Sequence, residues 1–236
     1  MIKRYLTMAM KLATLSLFIL SVFVMFNSCQ DDNPAPEVKD GTITLRNQSI
    51  NTIIPKVTGA AAVDSLKLTA VRLVLRDIKF KSTAEDTLNF KTAPMLLTVN
   101  LAGTVQSLGA IQVPLGTYNR IEFDVHRLEK TSLTNLADTV TFADFLKGER
   151  YSVIIDGHMY ISGKDSVFSY RSKIDAKQKY DLSPVLTVDK QTPNVNATMQ
   201  INTANWFRFG GALLDPMDKN NEGKIDEAIK ASIKMK

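Results

Sequence analysis

Along most of the chain, apolar and polar residues alternate in short segments, which is the pattern of β-strands that bury one face. The segment Thr42–Asn47 sets Ile43 and Leu45 between polar residues, and Leu68–Lys81 is a longer run of the same kind. Four later segments are also strand-like: Met95–Leu101, Gly109–Lys130, Tyr151–Ile174 and Val195–Phe207. Alternation with frequent turns predicts a mainly β protein, an antiparallel β-sandwich with one buried face per sheet.

In the segment Leu68–Lys81 the apolar positions change from one parity to the other partway along. Leu73 and Leu75 share one face, whereas Ile78 and Phe80 continue the apolar series on the opposite parity. Because a single extra residue in one strand shifts every later side chain to the other face, this pattern predicts a β-bulge near Asp77.

Three short stretches predict turns. Pro114-Leu115-Gly116 separates a short strand from a long one. Asp156-Gly157 and Gly163-Lys164-Asp165 both combine glycine with aspartate inside a strand-like segment, and the second predicts a hairpin loop.

Two segments have helical rather than strand periodicity. Thr141–Glu149 begins with an N-capping threonine, places Phe142 and Phe145 on one side and ends near a glycine. The C-terminal segment Lys224–Lys236 has apolar residues at helical spacing and predicts a C-terminal helix. No long linker follows Asp40, so residues 41–236 are expected to form one sandwich domain.

The first 28 residues have the features of a secretory signal. Lys3, Arg4 and Lys11 make the start basic, and Leu12–Phe26 is an uncharged run of 15 residues. A transmembrane helix needs about 20 apolar residues, whereas the central region of a signal peptide is shorter. We therefore predict a signal peptide over residues 1–28.

Cys29 is the only cysteine of the chain and follows this run directly. The sequence before it resembles the lipobox of bacterial lipoproteins, in which a small residue, here Ser28, precedes the cysteine that becomes lipid-modified. This resemblance implies cleavage before Cys29 and attachment of acyl chains to it, and two or more chains anchor a protein stably. A secretory peptide with a chance cysteine and an inner-membrane anchor are the alternatives.

Residues 29–40 are polar and contain prolines, which predicts a flexible tether. Asp31 and Asp32 follow the cysteine closely and resemble the export signals of surface lipoproteins in some bacteria with two membranes. A simple contribution to solubility is the other explanation for these two acids.

Charge argues against nucleic acid as a partner. The formal net charge is +5, and removing the three positive charges of the predicted signal leaves +2. The remaining Lys and Arg residues are scattered, so no basic stripe that would follow a phosphate backbone is predicted. A single cysteine also excludes an internal disulfide, and the domain must be stabilised by its own core.

Several segments together resemble the DUF4382 family, a domain found in secreted and lipid-anchored bacterial proteins. The segments are Ala70–Phe80, Val113–Val125 and Tyr160–Tyr170, and Val113–Ile121 is the most specific of them. The resemblance covers about Gly41–Lys190 and implies a sandwich of immunoglobulin-like or transthyretin-like shape, with Tyr118 at a corner where a strand restarts. It implies no activity.

The polar loop before the C-terminal helix invites comparison with a calcium-binding loop. Asp218, Asn220, Glu222 and Asp226 fall at positions 1, 3, 5 and 9 of such a loop. The twelfth position, which should be a bidentate glutamate, is Ile229. A polar loop ahead of a helix is therefore the favoured interpretation, with metal binding as the alternative.

Catalytic motifs are absent from the sequence. His126 and His158 are the only histidines, and neither has metal-ligand neighbours at a zinc-like spacing. No nucleophile elbow, zinc-protease motif or phosphate-binding loop occurs, so no cofactor is predicted. Glu122 and Asp124 lie on the expected solvent face of a strand, whereas a glycosidase needs two carboxylates across a cleft.

Trp206 and Phe207, with Phe209 nearby, form the densest aromatic cluster. Core or sheet-edge packing is the favoured interpretation, and stacking of exposed rings on a sugar is the alternative. Tyr160 and Tyr170 are expected on the solvent side and carry the same two interpretations.

These observations favour a lipid-anchored protein of the outer membrane, displayed at the cell surface and without enzymatic activity. Its expected partners are the membrane, through the anchor, and a glycan or another envelope protein. A fimbria-like assembly subunit and a hydrolase with an unrecognised site are the alternatives.

Overall fold

The computed structural model describes residues 40–50, 53–54, 63–82, 90–91, 94–129 and 136–235. These residues belong to a compact unit that spans Lys39–Lys236. The predictions that concern Cys29, Asp31 and Asp32 lie outside the described residues.

The described residues form fourteen strands and two α-helices. In chain order they are β1 (Asp40–Ile50), β2 (Ile53–Ile54), β3 (Ser65–Ser82), β4 (Phe90–Lys91), β5 (Met95–Thr98), β6 (Gln106–Pro114), β7 (Gly116–Val125), α1 (Leu136–Thr141), β8 (Val153–Ile161), β9 (Lys164–Ser172), β10 (Ala176–Val188), β11 (Asn194–Asn202), β12 (Arg208–Phe209), β13 (Ala212–Leu213), α2 (Glu222–Lys230) and β14 (Ile233–Met235). Short 3-10 turns occupy Ala143–Leu146 and Lys219–Asn221. The mainly β fold predicted from alternation is confirmed.

Two sheets form the layers of the sandwich. The first sheet has the strand order β14-β11-β1-β6, and the second has β10-β7-β3-β8-β9, with β2, β4 and β5 also paired to β3. Apolar side chains from both sheets, such as Leu45 and Phe123, belong to one continuous buried core. One exposed and one buried face per sheet is the arrangement that alternating strands favour.

One strand pair departs from the antiparallel prediction. β1 and β11 run parallel, from Thr42 opposite Asn194 to Ile50 opposite Asn202. Every other pair among the described strands is antiparallel. Alternation reports which face of a strand is buried and not its direction, so strands far apart in sequence can pair in either direction.

β3 contains the predicted bulge. Asp77 has a φ of 54°, and the register between β3 and β7 shifts between Arg76 and Lys79. As a result Leu75 and Ile78 are both fully buried although they stand three residues apart. The change of apolar parity therefore marks a bulge, as predicted.

The turn after Pro114 carries the chain from the first sheet to the second. β6 pairs in the first sheet and β7 in the second, so the path crosses between layers at Leu115. Tyr118 is fully buried at this corner, and its hydroxyl donates a hydrogen bond to the carbonyl of Pro114 at 2.7 Å. Its ring meets Phe80 edge-on at 6.1 Å between centroids. The expected corner position of Tyr118 is confirmed.

Of the two glycine-containing turn signals in the segment Tyr151–Ile174, one is wrong. Ser162 and Gly163 form the predicted hairpin loop, and both have positive φ. Gly157 instead lies inside β8. A Cβ atom there would stand 2.6 Å from the carbonyl oxygen of Lys67 and 2.8 Å from the ring of Phe168. The glycine serves close packing rather than a turn.

The helix predicted over Thr141–Glu149 is also displaced. α1 ends at Thr141, and a 3-10 turn at Ala143–Leu146 follows. Phe142 and Phe145 are buried as predicted and pack on Val74 in a second, smaller cluster. A spacing of three residues suits the 3-10 turn, in which side chains three apart are aligned.

The predicted C-terminal helix is confirmed over Glu222–Lys230, with Ile225 and Ile229 fully buried. It is shorter than expected, because Ile233 enters β14 and pairs with Ile201. Within the described part of the chain, none of the helices has the length and apolar character needed to cross a lipid bilayer.

Candidate functional site

A pocket of about 440 Å³ opens where the ends of β1 and β11 meet the segment that joins α2 to β14. We call it the amide pocket. Its lining carries no charge and consists of Ile50, Gln200, Asn202, Asn205, Ala228, Ala231 and Ser232.

Strand alternation places the polar wall of the amide pocket. Met199 and Ile201 point into the core and are fully buried, so Gln200 and Asn202 point to the opposite face of β11. Because β1 runs parallel to β11, Ile50 stands opposite Asn202 and closes this side.

A turn after β11 presents Asn205. The Thr203 N–H donates to the carbonyl of Ile50 at 3.4 Å, and the Trp206 N–H donates to the carbonyl of Thr203 at 3.2 Å. Asn202 fixes the same turn, because its side-chain oxygen accepts the N–H of Ala204 at 3.1 Å. Asn205 itself is exposed, and its side chain stands at the tip of this turn.

The amide pocket has free hydrogen-bonding capacity. Within the described residues, the side-chain amides of Gln200 and Asn205 have no protein partner, and each offers one acceptor and two N–H donors. The N–H₂ group of Asn202 adds two donors, since only its oxygen is engaged. Ser232 donates its hydroxyl proton to the carbonyl of Ile229 at 2.6 Å, which leaves its oxygen as an acceptor.

Two tyrosines, the buried Tyr170 and the half-buried Tyr180, hold the opposite wall in place. Tyr170 donates its hydroxyl to Oδ1 of Asp226 at 2.7 Å, and the carbonyl of Glu222 lies 3.2 Å away. Burial, followed by the hydrogen bond to Asp226, raises the pKa of Tyr170 well above its usual value. α2 is thereby fastened to β9.

Tyr180 fastens β14 in the same way. Its hydroxyl contacts the carbonyl of Ile233 and lies 2.6 Å from the side-chain oxygen of Gln178. The amide of Gln178 also donates to the carbonyl of Lys230 at 3.3 Å. Burial raises the pKa of Tyr180 to about 12. The wall of the pocket is thus fixed to the second sheet at both ends.

Trp206 and Phe207 pack in the core, as the favoured interpretation predicted, and the alternative of an exposed sugar platform is wrong. Both side chains are 0% exposed, and Phe207 meets Phe168 and Tyr170 edge-on at 5.7 and 5.9 Å. Tyr170, expected on the solvent side, is only 5% exposed.

The acids of the polar loop do not assemble a calcium site. Oδ1 of Asp218 accepts the N–H and the side-chain amide of Asn220, both at 2.9 Å, and caps a 3-10 turn. Asp226 is engaged by Tyr170, and Glu222 begins α2. Among the described residues, no three His, Cys, Asp or Glu side chains converge closely enough to hold a metal ion.

Both histidines tie neighbouring segments together. Nε2 of His126 lies 3.1 Å from Asp175, and Nδ1 of His158 lies 2.9 Å from Asp165 across the β8–β9 hairpin. In the described part of the chain, no serine, threonine or cysteine side chain is hydrogen-bonded to either ring. The geometry favours a structural role for both.

Glu122 and Asp124 lie on the outer face of β7, as predicted. Lys179 and Lys79 flank Glu122 on the neighbouring strands, and Lys177 stands opposite Asp124 on β10. Alternating charges across neighbouring strands stabilise a sheet and keep its face soluble. Glu122 and Asp124 line a small pocket together with Asp77 and with Lys79, Lys177 and Lys179.

Sequence reasoning missed the amide pocket. The run Gln200–Asn205 contains three amides, but nothing in it indicates that Ala228 and Ser232 lie nearby. Comparisons with family models, with curated proteins and with solved structures found no match. The DUF4382 resemblance therefore stays a prediction.

Proposed function

We propose that this protein is a lipid-anchored module of the cell envelope that binds a ligand and catalyses no reaction. The anchor rests on the position of Cys29, the single cysteine, at the end of an apolar run and before a polar, proline-containing segment. β1 begins at Asp40, so a short tether separates the proposed lipid from the sandwich. Two or more acyl chains on Cys29 hold the module at the membrane.

The outer face of the outer membrane is the proposed location. Asp31 and Asp32 follow the lipidated cysteine and act as the export signal. A module displayed there meets glycans and other envelope proteins, which are the proposed ligands.

The amide pocket is the observation that carries the binding role. Neutral polar groups with unused donors and acceptors, in a concave site, offer hydrogen bonds to a ligand.

Intact mass spectrometry of the protein from membranes tests the anchor. We expect the mass of Cys29–Lys236 carrying a diacylglyceryl group and a fatty acyl chain. The variant Cys29→Ala is the control and should accumulate unprocessed or leave the membrane fraction. An unmodified mass for the wild-type chain, with membrane association kept in Cys29→Ala, would exclude the proposed anchor.

The second candidate function is an assembly subunit, and the edge of the first sheet favours it. β6 has no charged residue, and among the described strands β1 is its only pairing partner. Edge strands without charges or a central proline are prone to pair with another strand. Light scattering should then show an oligomer that Gln112→Lys on β6 dissociates and Ser166→Lys on β9 leaves intact. A monomeric wild type would exclude this function.

A further inference from the structure

We propose that the amide pocket binds a neutral saccharide. This inference rests on the proposed binding function and names its ligand class. One concave site brings together four uncharged polar side chains and three small or aliphatic ones. The polar ones are Gln200, Asn202, Asn205 and Ser232.

The chemistry of the lining matches hydroxyl groups. A sugar hydroxyl donates one hydrogen bond and accepts others, so it needs donors and acceptors at close range. Gln200 and Asn205 each supply both kinds, the free N–H₂ of Asn202 donates, and the oxygen of Ser232 accepts. An amide-lined wall satisfies a polyhydroxylated ligand without a charge on either side.

The same lining disfavours charged ligands. It includes neither Lys nor Arg to neutralise a phosphate or carboxylate, and neither Asp nor Glu to neutralise an amine. A charge taken from water into such a site loses hydration without gaining a counter-charge. The saccharide is therefore neutral.

Size and apolar contacts agree with this assignment. A volume of about 440 Å³ lies within the range of roughly 300–1,000 Å³ that small-ligand sites occupy. Ala228 and Ala231 have short side chains, which leave space for a ligand on the helical side of the pocket. Ile50 offers an apolar surface to the C–H groups of a sugar ring. Because the lining has no aromatic ring, we expect dissociation constants around the millimolar range.

A glycan array that carries neutral and anionic oligosaccharides tests the proposal. The mature lipid-anchored protein is applied in a detergent that contains no sugar. Each glycan is printed at high density, so that several protein molecules bind side by side in one detergent micelle and weak binding is detected. We expect signal on a subset of the neutral glycans. The neutral glycan with the strongest array signal is then titrated against each variant, and saturation-transfer NMR monitors the titration to give the affinity.

Three variants connect the signal to the pocket. Ala231→Trp fills it from an exposed position and should abolish binding, and Gln200→Ala with Asn205→Ala should weaken binding about tenfold or more. Gln112→Ala removes an exposed amide from β6, outside the lining, and should bind like the wild type. Circular dichroism and thermal midpoints verify that each variant is folded.

Absence of signal on every neutral glycan, signal on anionic glycans alone, or equal binding by Ala231→Trp and the wild type would each overturn the saccharide proposal. The proposed function has a separate readout. A lipidated Cys29 with no glycan binding would overturn only the ligand class, and an unmodified Cys29 with pocket-dependent glycan binding would overturn only the anchor.

Discussion

The hydroxyl of Tyr170 offers a sharp test of how the C-terminal helix is held. Tyr170→Phe removes the bond to Asp226 but keeps the ring, which meets Phe207 edge-on at 5.9 Å. Hydrogen bonds to charged groups contribute about 1.5–3 kcal/mol. Because Asp226 is half-buried and regains some water in the variant, we expect a loss of about 2 kcal/mol in the free energy of unfolding.

Equilibrium unfolding in urea measures this loss. With a denaturant slope of about 2 kcal/mol/M, the midpoint should fall by about 1 M. Tyr160→Phe is the matched control, since Tyr160 is half-buried and its hydroxyl has no partner within the described residues. Its midpoint should stay close to that of the wild type.

A double-mutant cycle isolates the contact itself. If the Tyr170 hydroxyl acts through Asp226, the combined variant Tyr170→Phe with Asp226→Asn should be less destabilised than the sum of the two single changes. Amide exchange in α2 should also accelerate in Tyr170→Phe, because the helix loses its tie to β9. Additive effects, or a midpoint equal to that of Tyr160→Phe, would refute the reasoning.

Three further predictions concern other parts of the chain. Burial raises the pKa of Tyr180 to about 12, so the neutral side chain stabilises the fold fully below pH 10 and this contribution is lost between pH 10 and 12. Urea midpoints measured across this pH range will test the loss. Gly157→Ala should lower the free energy of unfolding by about 1–3 kcal/mol, because the new Cβ meets the β3 backbone. Gly223→Ala, whose Cβ meets nothing within 4 Å, should stabilise α2 by about 0.5 kcal/mol. Thermal melts that rank the two variants in the opposite order would contradict this. Changing Asp31 and Asp32 to Ala should protect the protein from protease added to whole cells, and unchanged cleavage would exclude the export signal.

Local sequence patterns anticipated those features that depend on neighbouring residues. Alternation located most of the long strands, because burial of one face sets a period of two wherever a strand covers a core, but it missed β10 (Ala176–Val188). The parity change marked the bulge at Asp77, and glycine marked the loop at Gly163, since each requires a particular backbone conformation. Tyr118 at the corner belongs to the same group, because its hydrogen-bond partner is only four residues away.

Other features depend on residues that are distant in sequence. Gly157 has the composition of a turn but packs closely against the carbonyl of Lys67 and the ring of Phe168, whose approach nothing local reveals. Trp206 and Phe207 have the composition of a binding platform, yet the packing of β9 and α2 places them in the core. At Gly157 packing against a distant segment overrode the local signal, whereas at Trp206 and Phe207 the structure decided for core packing, which was the favoured interpretation.

The sequence by itself indicated most of the strand content and the C-terminal helix, and it is the sole basis of the proposal that Cys29 is the anchor. Only the tertiary structure decided that β1 and β11 run parallel and that the amides of Gln200 and Asn205 converge with Ser232 on one pocket. The physical reason is that a residue's own neighbours set its backbone conformation and its buried face. Which segments meet is settled by the packing of the whole core, through contacts that span more than a hundred residues of chain, such as that between Ile50 and Asn202.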